Sequence, residues 1–264
     1  MKNFSFVLFV LFLLCPVCVT LGKTLPDQFN NKDVRGWIIL SDDMNAAVRT
    51  IKAAKEYDIN QLQLSHEIIH DLREIKKEKV CAQVNELVNM AHSEGINEVL
   101  LWDHSLYDID YYPERFRTGP GGTIDLDNLE FWEWLKDDYR QMLDRVSEAD
   151  GLVLTFIETG AYAERQFSKK MKSSEEKLAA VVNAISDVLI GERKKKLYIR
   201  TFAYSEEEYK GTTGCIEYLK YDEVILMMKE TPHDFFLTHP DNYYIQKMDR
   251  PVIVEFDLGN EYSG

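Results

Sequence analysis

The sequence predicts an α/β fold, namely an incomplete (β/α)8 TIM-type barrel with about seven strands and without its C-terminal unit. Almost continuous apolar runs alternate with helical segments, as in a parallel sheet covered on both faces. The first strand is followed by "ILSDDMN", which lacks the glycine-rich phosphate turn of an open Rossmann sheet. Polar residues follow almost every strand, at the end where barrel enzymes carry their active sites.

The first unit consists of the strand "VRGWIILSD" and the helix "DMNAAVRTIKAAKEYDI". Within this helix Ala47, Ile51 and Ala54 recur at helical spacing and form its apolar face. Asp42 and Asp43 precede the helix, where a short acidic side chain can cap the first turn.

The next three units repeat the same order of strand and helix. The second runs from "NQLQLS" into "EKVCAQVNELVNMAHSEGI", and Gly95 is expected to end its helix. The third runs from "NEVLLWD" through a long loop into "DLDNLEFWEWLKDDYRQMLDRVSEA". The fourth combines "DGLVLTFIE" with "SSEEKLAAVVNAISDVLIG".

Three more strands follow, and the return segment after the first of them is weaker. The fifth strand is "KKLYIRTFAY", and the segment around "GTTGCIEYLKY" follows it with a less regular helical pattern. The sixth and seventh strands, "EVILMMKE" and "PVIVEFDL", are joined by "TPHDFFLTHPDNYYIQKMDR". Because a closed barrel of this type needs eight strands, we expect the sequence to be a fragment with a gap between its first and seventh strands.

The N-terminus predicts a secretory signal peptide over residues 1–22. It begins with one Lys near the N-terminus, continues with an apolar run and ends in small residues, a pattern typical of a cleaved signal, with an uncleaved membrane anchor as the alternative. We expect a linker at 23–32, the truncated barrel at 33–264, a secreted or periplasmic location and no membrane contact after cleavage.

Composition limits the partners. The 264 residues include 45 acidic and 31 basic side chains, and the net charge of -14 would repel phosphate backbones, so nucleic acid is not expected as a partner. Removal of the signal would leave only Cys81 and Cys215, which define no disulfide framework and are expected to be core residues, with a single bridge between them left open.

The segment "HEIIH" at His66 to His70 matches a zinc-protease pattern, in which two histidines one helical turn apart bind the metal. Here the motif directly follows a strand, and Arg73 occupies the glycine position of the extended form. We therefore expect a loop with polar residues at the barrel mouth, and we predict neither a metal site nor a cofactor. A zinc hydrolase remains an alternative, although no residue stands out as its third ligand among Glu86, His92 and Glu94.

Four carboxylates at or after strand ends predict acid–base hydrolysis. Glu158 ends the fourth strand in "GLVLTFIETG", where apolar neighbours could raise its pKa. Asp234 follows the sixth strand, and Glu255 and Glu261 lie on and after the seventh. Hydrolysis of a glycoside requires one acid at the leaving oxygen and one carboxylate that attacks the sugar or activates water. These four residues form the predicted catalytic set.

The segments "ADGLVLTFIETG", "YIRTFAY", "MMKETPHDF" and "VIVEFDLGNEY" together resemble the catalytic barrel of the family 67 glycoside hydrolases, the α-glucuronidases. The resemblance implies a glycosidase acting on uronic-acid-containing plant or algal polysaccharide. It implies that Glu158 is the general acid. It also implies that Asp234 and Glu261 position and deprotonate the attacking water in an inverting mechanism.

The same resemblance implies residues that bind the carbohydrate substrate. Arg200 and Lys229 would neutralise a substrate carboxylate by charge-assisted hydrogen bonds. Trp102 and Asp103 stand at the end of the third strand and complete the predicted substrate-binding set.

Two further alternatives use the same barrel. A retaining glycosidase would combine Glu158 with Glu255, with their carboxyl groups about 5 Å apart instead of roughly 6.5 to 9.5 Å. A non-catalytic carbohydrate-binding barrel would need no paired acids and would stack sugars on the aromatic residues Trp102, Tyr111, Tyr112 and Tyr162.

Overall fold

The computed structural model describes residues 34–41, 43–202, 206–230 and 242–256. Seven strands lie within these ranges, and each is four to seven residues long. They are β1 (Gly36–Ile39), β2 (Gln61–Leu64), β3 (Glu98–His104), β4 (Gly151–Thr155), β5 (Lys196–Arg200), β6 (Ile225–Lys229) and β7 (Val252–Glu255).

Five α-helices alternate with the strands, one after each strand from β1 to β5. They are α1 (Met44–Ala54), α2 (Glu78–Ser93), α3 (Leu129–Arg145), α4 (Ser174–Ser186) and α5 (Glu206–Gly214). Local chemistry explains two of their starts. The Asp43 carboxylate accepts a hydrogen bond from the Asn45 backbone N–H, and Ser173 and Glu176 form a reciprocal capping box on α4.

The seven strands form one parallel sheet in the order β1-β2-β3-β4-β5-β6-β7, and the sheet curls into a half-barrel. The predicted seven parallel strands are therefore confirmed. Among the described residues, β1 pairs only with β2 and β7 only with β6, so these two strands are the edges of the sheet. Parallel strands in sequential order bring all their carboxyl ends to one rim, where the candidate site lies.

The two faces of the sheet differ in composition. The larger core lies between the sheet and the helices, and it includes Leu62, Leu101 and Leu154. A smaller apolar cluster covers the concave face with residues of the opposite strand parity: Leu100, Trp102, Val153, Tyr198 and Met227. Polar side chains lie at both ends of this small cluster.

Several expectations lie outside the described residues or differ in detail. The predicted signal peptide and linker fall on residues that the structure does not describe, as do Asp42, Asp234 and Glu261. The helix after β5 lies earlier than expected, because "GTTG" ends α5 and residues Cys215–Tyr218 form a 3-10 turn. Cys81 and Cys215 are both free thiols, so the disulfide bridge that the sequence left open does not form between them. Within the described ranges, every helix is too short or too polar to span a bilayer.

Candidate functional site

The centre of the site is an ion pair between the last residues of β5 and β7. Arg200 donates from Nε to Glu255 Oε2 at 2.7 Å and from a terminal nitrogen to Oε1 at 2.6 Å. The side chains are only 7% and 6% exposed. A buried pair persists only when its hydrogen bonds replace lost hydration, and this two-bond geometry does so. The pair therefore fixes the Arg200 guanidinium at the carboxyl-end rim.

Aromatic rings and a second cation surround this ion pair. The Arg200 guanidinium lies 4.8 Å from the ring centre of Trp102 and 4.7 Å from that of Phe202. Lys229 Nζ, from the end of β6, lies 4.1 Å from the Phe202 ring centre. We call these five residues, Trp102, Arg200, Phe202, Lys229 and Glu255, the carboxyl-end cluster. It joins β3, β5, β6 and β7 on the concave face.

A second polar group lies at the opposite end of the concave face, and we call it the amino-end cluster: Gln61, Glu98, Lys196 and Tyr198. Glu98 Oε1 accepts hydrogen bonds from the Tyr198 hydroxyl at 2.6 Å and from Gln61 Nε2 at 2.8 Å. The other carboxylate oxygen pairs with the Lys196 ammonium group. Three of these residues begin β2, β3 and β5, so this cluster lies at the floor of the half-barrel.

Gln63 connects the two clusters. Its Oε1 accepts a hydrogen bond from Trp102 Nε1 at 2.9 Å, and its Nε2 donates to Gln61 Oε1 at 2.9 Å. The side chain is buried. Both ends of its amide are therefore satisfied within the concave face, as buried polar groups require.

Backbone strain marks the loops that follow β2 and β4. His66 and Glu158 have positive φ angles of 49° and 58°. The other described non-glycine residues with positive φ, Asp58 and Lys194, follow helical turns, where a left-handed residue is an ordinary ending. Non-glycine residues in this conformation at strand ends are concentrated at functional sites. Of the two predicted catalytic residues that the structure describes, Glu158 and Glu255, Glu158 has the strained backbone, and its side chain is exposed.

His66 brings Glu158 and Arg200 into one electrostatic environment. Burial and the nearby charge of Arg200 lower the pKa of His66, whereas the negative charge of Glu158 opposes this shift. The His66 ring lies 5.0 Å from the Trp102 ring, centre to centre, and its Nδ1 lies 2.5 Å from Ser65 Oγ. The charges of Glu158 and Arg200 therefore both act on His66, whose ring adjoins Trp102 of the carboxyl-end cluster.

Asp103 lies on the other face of the sheet, which corrects its predicted role in substrate binding. Side chains of adjacent strand residues point to opposite faces, and Trp102 occupies the concave one. The Asp103 carboxylate accepts hydrogen bonds from Tyr139 at 2.6 Å, Tyr107 at 2.8 Å and the Leu72 backbone N–H at 2.9 Å. Burial raises its pKa to about 6. Asp103 thus joins the sheet to the helical layer and does not reach the site.

A second group of polar side chains follows β2 and ends β3. His104 Nδ1 lies 2.9 Å from Asp71 Oδ1 and 3.0 Å from the backbone oxygen of His70. The His70 and His104 rings are 4.2 Å apart, centre to centre. Although burial alone would raise the pKa of Asp71, the hydrogen bond to His104 and the charges of His104 and Arg73 hold it below its ordinary value.

The segment "HEIIH" does not form the helix that a zinc-protease motif requires. Residues His66 to Asp71 are a loop, and the ring centres of His66 and His70 are 6.3 Å apart. On a helix the two rings would share one face, one turn apart. The expected loop at the barrel mouth is therefore present.

The aromatic residues considered as sugar platforms are mostly enclosed. Trp102 and Tyr112 are 3% and 1% exposed, and the Tyr111 hydroxyl donates a hydrogen bond to Asp138 Oδ2 at 2.5 Å. Tyr162 is partly exposed, and Arg165 lies 4.0 Å from its ring centre. Tyr162 lines an open cavity.

That cavity, of about 260 Å³, lies between the loop after β4 and helix α5. Burial raises the pKa of Glu164, one of its acidic residues. Its other lining residues include Phe156, Ile157, Tyr162, Arg165 and Glu208. Phe156 and Ile157 directly precede Glu158, but Glu158 itself is not among the residues that line this cavity.

The structure thus unites Trp102, Arg200, Lys229 and Glu255, whereas Asp234 and Glu261 lie outside the described residues. The sequence prediction did not include Phe202 and His104. Both could have been found from the alternation of side chains along a strand. His104 is two positions after Trp102, and Phe202 is two positions after Arg200, so each continues the same parity.

Solved structures similar to this chain include CpGH84B and a variant of NCR from Zymomonas mobilis. CpGH84B matches at 13% identity with a TM-score of 0.50 over 75% of this chain, which spans only 33% of CpGH84B. The NCR variant matches at 13% identity and a TM-score of 0.50, over 84% of this chain and 72% of its own. No protein-family profile and no curated protein sequence matches. At this identity the likeness shows the fold alone, a TIM-like α/β barrel.

Proposed function

We propose that this chain is a secreted glycoside hydrolase that acts on uronic-acid-containing polysaccharide from plants or algae. One observation carries the proposal: His66, which adjoins Trp102 of the carboxyl-end cluster, is acted on by the charges of both Arg200 and the exposed, backbone-strained Glu158. That rim is the active-site end in barrel enzymes. The similarity to CpGH84B supports the barrel fold that this proposal requires.

Glu158 is the general acid in this proposal. Its carboxylic acid gives a proton to the glycosidic oxygen while the bond from that oxygen to the anomeric carbon breaks. A water molecule attacks the anomeric carbon from the opposite side and gives its proton to a carboxylate. Asp234 and Glu261 take this second role by their resemblance to the family 67 pattern, and the product sugar has inverted configuration.

Arg200 and Lys229 provide the positive charge for the uronate carboxylate. The planar guanidinium of arginine is suited to bind a carboxylate through two hydrogen bonds. In this structure Glu255 is the carboxylate that Arg200 binds in this way. We therefore assign Glu255 to positioning Arg200. This assignment favours the inverting mechanism over a retaining one, because a nucleophile needs a carboxylate oxygen directed at the sugar and not into a buried ion pair.

The test is the leaving-group dependence of the Glu158→Gln variant of the full chain. Hydrolysis of uronic-acid-bearing oligosaccharides should slow by on the order of 100-fold to 10,000-fold, because the amide has no proton to donate. Aryl glycosides with activated leaving groups should lose far less, since they depart without protonation. Asp234→Asn and Glu261→Gln should slow both kinds of substrate alike.

The matched control is Glu86→Gln, which makes the same chemical change at an exposed residue of α2. It should leave both substrates unaffected. The proposal fails if the wild-type chain hydrolyses no uronic-acid-bearing glycoside, or if Glu158→Gln hydrolyses all of them at the wild-type rate.

A further inference from the structure

A compact group of metal-ligating side chains lies outside the carboxyl-end cluster. His70 and Asp71 belong to the loop after β2, and His104 is the last residue of β3. One potential ligand atom from each residue lies within 4.8 Å of those of the other two. We propose that these three residues bind one divalent first-row transition-metal ion of the zinc class.

The closest contact in this group already has nearly the spacing of two ligands on one ion. Zn²⁺ binds imidazole nitrogen and carboxylate oxygen at about 2.1 Å, so two such atoms in a tetrahedral site are about 3.4 Å apart. His104 Nδ1 and Asp71 Oδ1 are 2.9 Å apart. An ion therefore binds here by replacing the ring proton between these two atoms, and the distance between His104 Nδ1 and Asp71 Oδ1 increases by a few tenths of an ångström.

The His70 ring is close enough to supply the third ligand. Two imidazoles on one tetrahedral ion have ring centres about 5 Å apart, and those of His70 and His104 are 4.2 Å apart. His70 is partly exposed, so its ring has room to turn toward the ion. Two imidazoles and one carboxylate are a ligand set that suits zinc and its neighbours and does not suit Ca²⁺ or Mg²⁺.

Neighbouring residues orient the carboxylate. A terminal nitrogen of Arg73 forms an ion pair with Asp71 Oδ2 at 2.9 Å, on the side of the carboxylate away from His104, and donates a hydrogen bond to Asp108 Oδ2 at 3.0 Å. The His70 backbone N–H donates to Glu74 Oε2 at 3.0 Å and fixes the loop. Such outer contacts are what set the direction of metal ligands. His104 and Asp71 are buried while His70 is not, so the site is closed toward the protein and open toward the barrel mouth.

This site differs from the sequence motif "HEIIH". The motif would combine His66 with His70 and use the intervening glutamate as a base. The structure instead combines His70 with His104, which is distant in sequence, and with the adjacent Asp71. The proposal concerns metal binding and does not depend on the proposed glycosidase activity.

The experiment is a titration of the full, chelator-treated chain with ZnCl₂, followed by calorimetry and by measurement of the retained metal. We expect one ion per chain. His104→Ala and His70→Ala should each weaken the binding by roughly 100-fold or more, beyond the 10-fold to 100-fold typical of outer contacts. Co²⁺ in place of Zn²⁺ should give visible absorption that both variants lose.

His92→Ala is the matched control, because His92 Nε2 lies 2.9 Å from Asp150 Oδ2 and this pair is joined by no second histidine among the described residues. It should bind Zn²⁺ as the wild type does. His70→Ala alters a partly exposed loop residue, so it remains informative if His104→Ala does not fold. The proposal is overturned if the wild type retains no stoichiometric Zn²⁺, if both variants bind it as tightly as the wild type, or if His66→Ala abolishes binding while His104→Ala does not.

Discussion

The two polar clusters on the concave face lie at opposite ends of the same strands, yet they differ in chemistry. In the amino-end cluster, Glu98 accepts hydrogen bonds from the neutral donors of Tyr198 and Gln61 and pairs with the half-exposed ammonium group of Lys196. The carboxyl-end cluster concentrates charge in the Arg200–Glu255 pair and adjoins two residues with strained backbones. Both ends therefore contain an ion pair, but the pair at the carboxyl end is buried on both sides and adjoins residues with strained backbones.

This difference separates a structural polar cluster from a candidate site. At the amino end the ion-pair partner of Glu98, Lys196, is half-exposed, so its ammonium group keeps much of its contact with water. A buried ion pair costs more, because two charges leave water, and a hydrophobic pair of similar volume is often equally stable. The presence of the ion pair therefore calls for a reason other than stability, and the positioning of Arg200 for an anionic substrate supplies one.

The largest expected effect tests the ion pair directly. Glu255→Ala should lower the free energy of unfolding by about 3–5 kcal/mol, because Arg200 remains buried without its carboxylate. Urea unfolding monitored by circular dichroism measures it. The control is Glu192→Ala, since Arg140 holds Glu192 through two hydrogen bonds of 2.8 and 2.6 Å near the surface. That change should cost about 1 kcal/mol or less. Equal losses in the two variants would remove the contrast between the clusters.

A smaller effect is expected at the floor of the half-barrel. Glu98→Ala should lower the free energy of unfolding by about 1–3 kcal/mol, because the buried donors of Gln61 and Tyr198 lose their acceptor. Turnover of any glycoside, measured well below the unfolding temperature, should stay at the wild-type value. A loss of turnover comparable to that of Glu158→Gln would contradict the assignment of this end as structural.

The smallest expected effect at neutral pH concerns Tyr198. Burial, followed by the hydrogen bond to Glu98, raises the pKa of this phenol above its ordinary value of about 10. Its contribution to stability is complete below pH about 10 and is lost as the pH rises further, because the unfolded chain ionises first. Tyr198→Phe should cost about 1 kcal/mol at pH 7 and should flatten the alkaline decline by up to about 1.4 kcal/mol per pH unit.

Unfolding curves between pH 8 and roughly 12 would measure that slope. Tyr57→Phe serves as the comparison, since it removes an exposed phenol. If both variants decline as steeply as the wild type, Tyr198 is not held neutral by its surroundings.

The strands were predictable because each is a short apolar run bounded by polar residues, and all seven are confirmed. The face of the sheet on which each side chain lies was harder to predict from the sequence. Asp103 and Trp102 are neighbours in the sequence, and only the sheet reveals that Asp103 contacts Tyr139 while Trp102 contacts Arg200. Alternation gives relative parity, but it does not say which parity is concave.

Partners distant in sequence were harder to predict than strand ends. The rim position of Arg200 and Glu255 follows from parallel strands, but their mutual ion pair depends on the curl of the sheet across β6. The metal-ligand group shows the same limit. A local pattern drew attention to His66 and His70, whereas the contact of His70 and Asp71 with His104 arises from the pairing of β2 with β3.

The hydrogen bonds through Gln63 all run in one direction. Trp102 donates to Gln63, Gln63 donates to Gln61, and Gln61 donates to the Glu98 carboxylate. The two amide dipoles are therefore aligned head to tail along the axis of the half-barrel, with their oxygens toward the rim and a negative charge at the far end. Each bond in such a row polarises the next, so neither amide can turn over alone. The orientation of the indole on which Arg200 rests is thus anchored by a charge at the opposite end of the sheet.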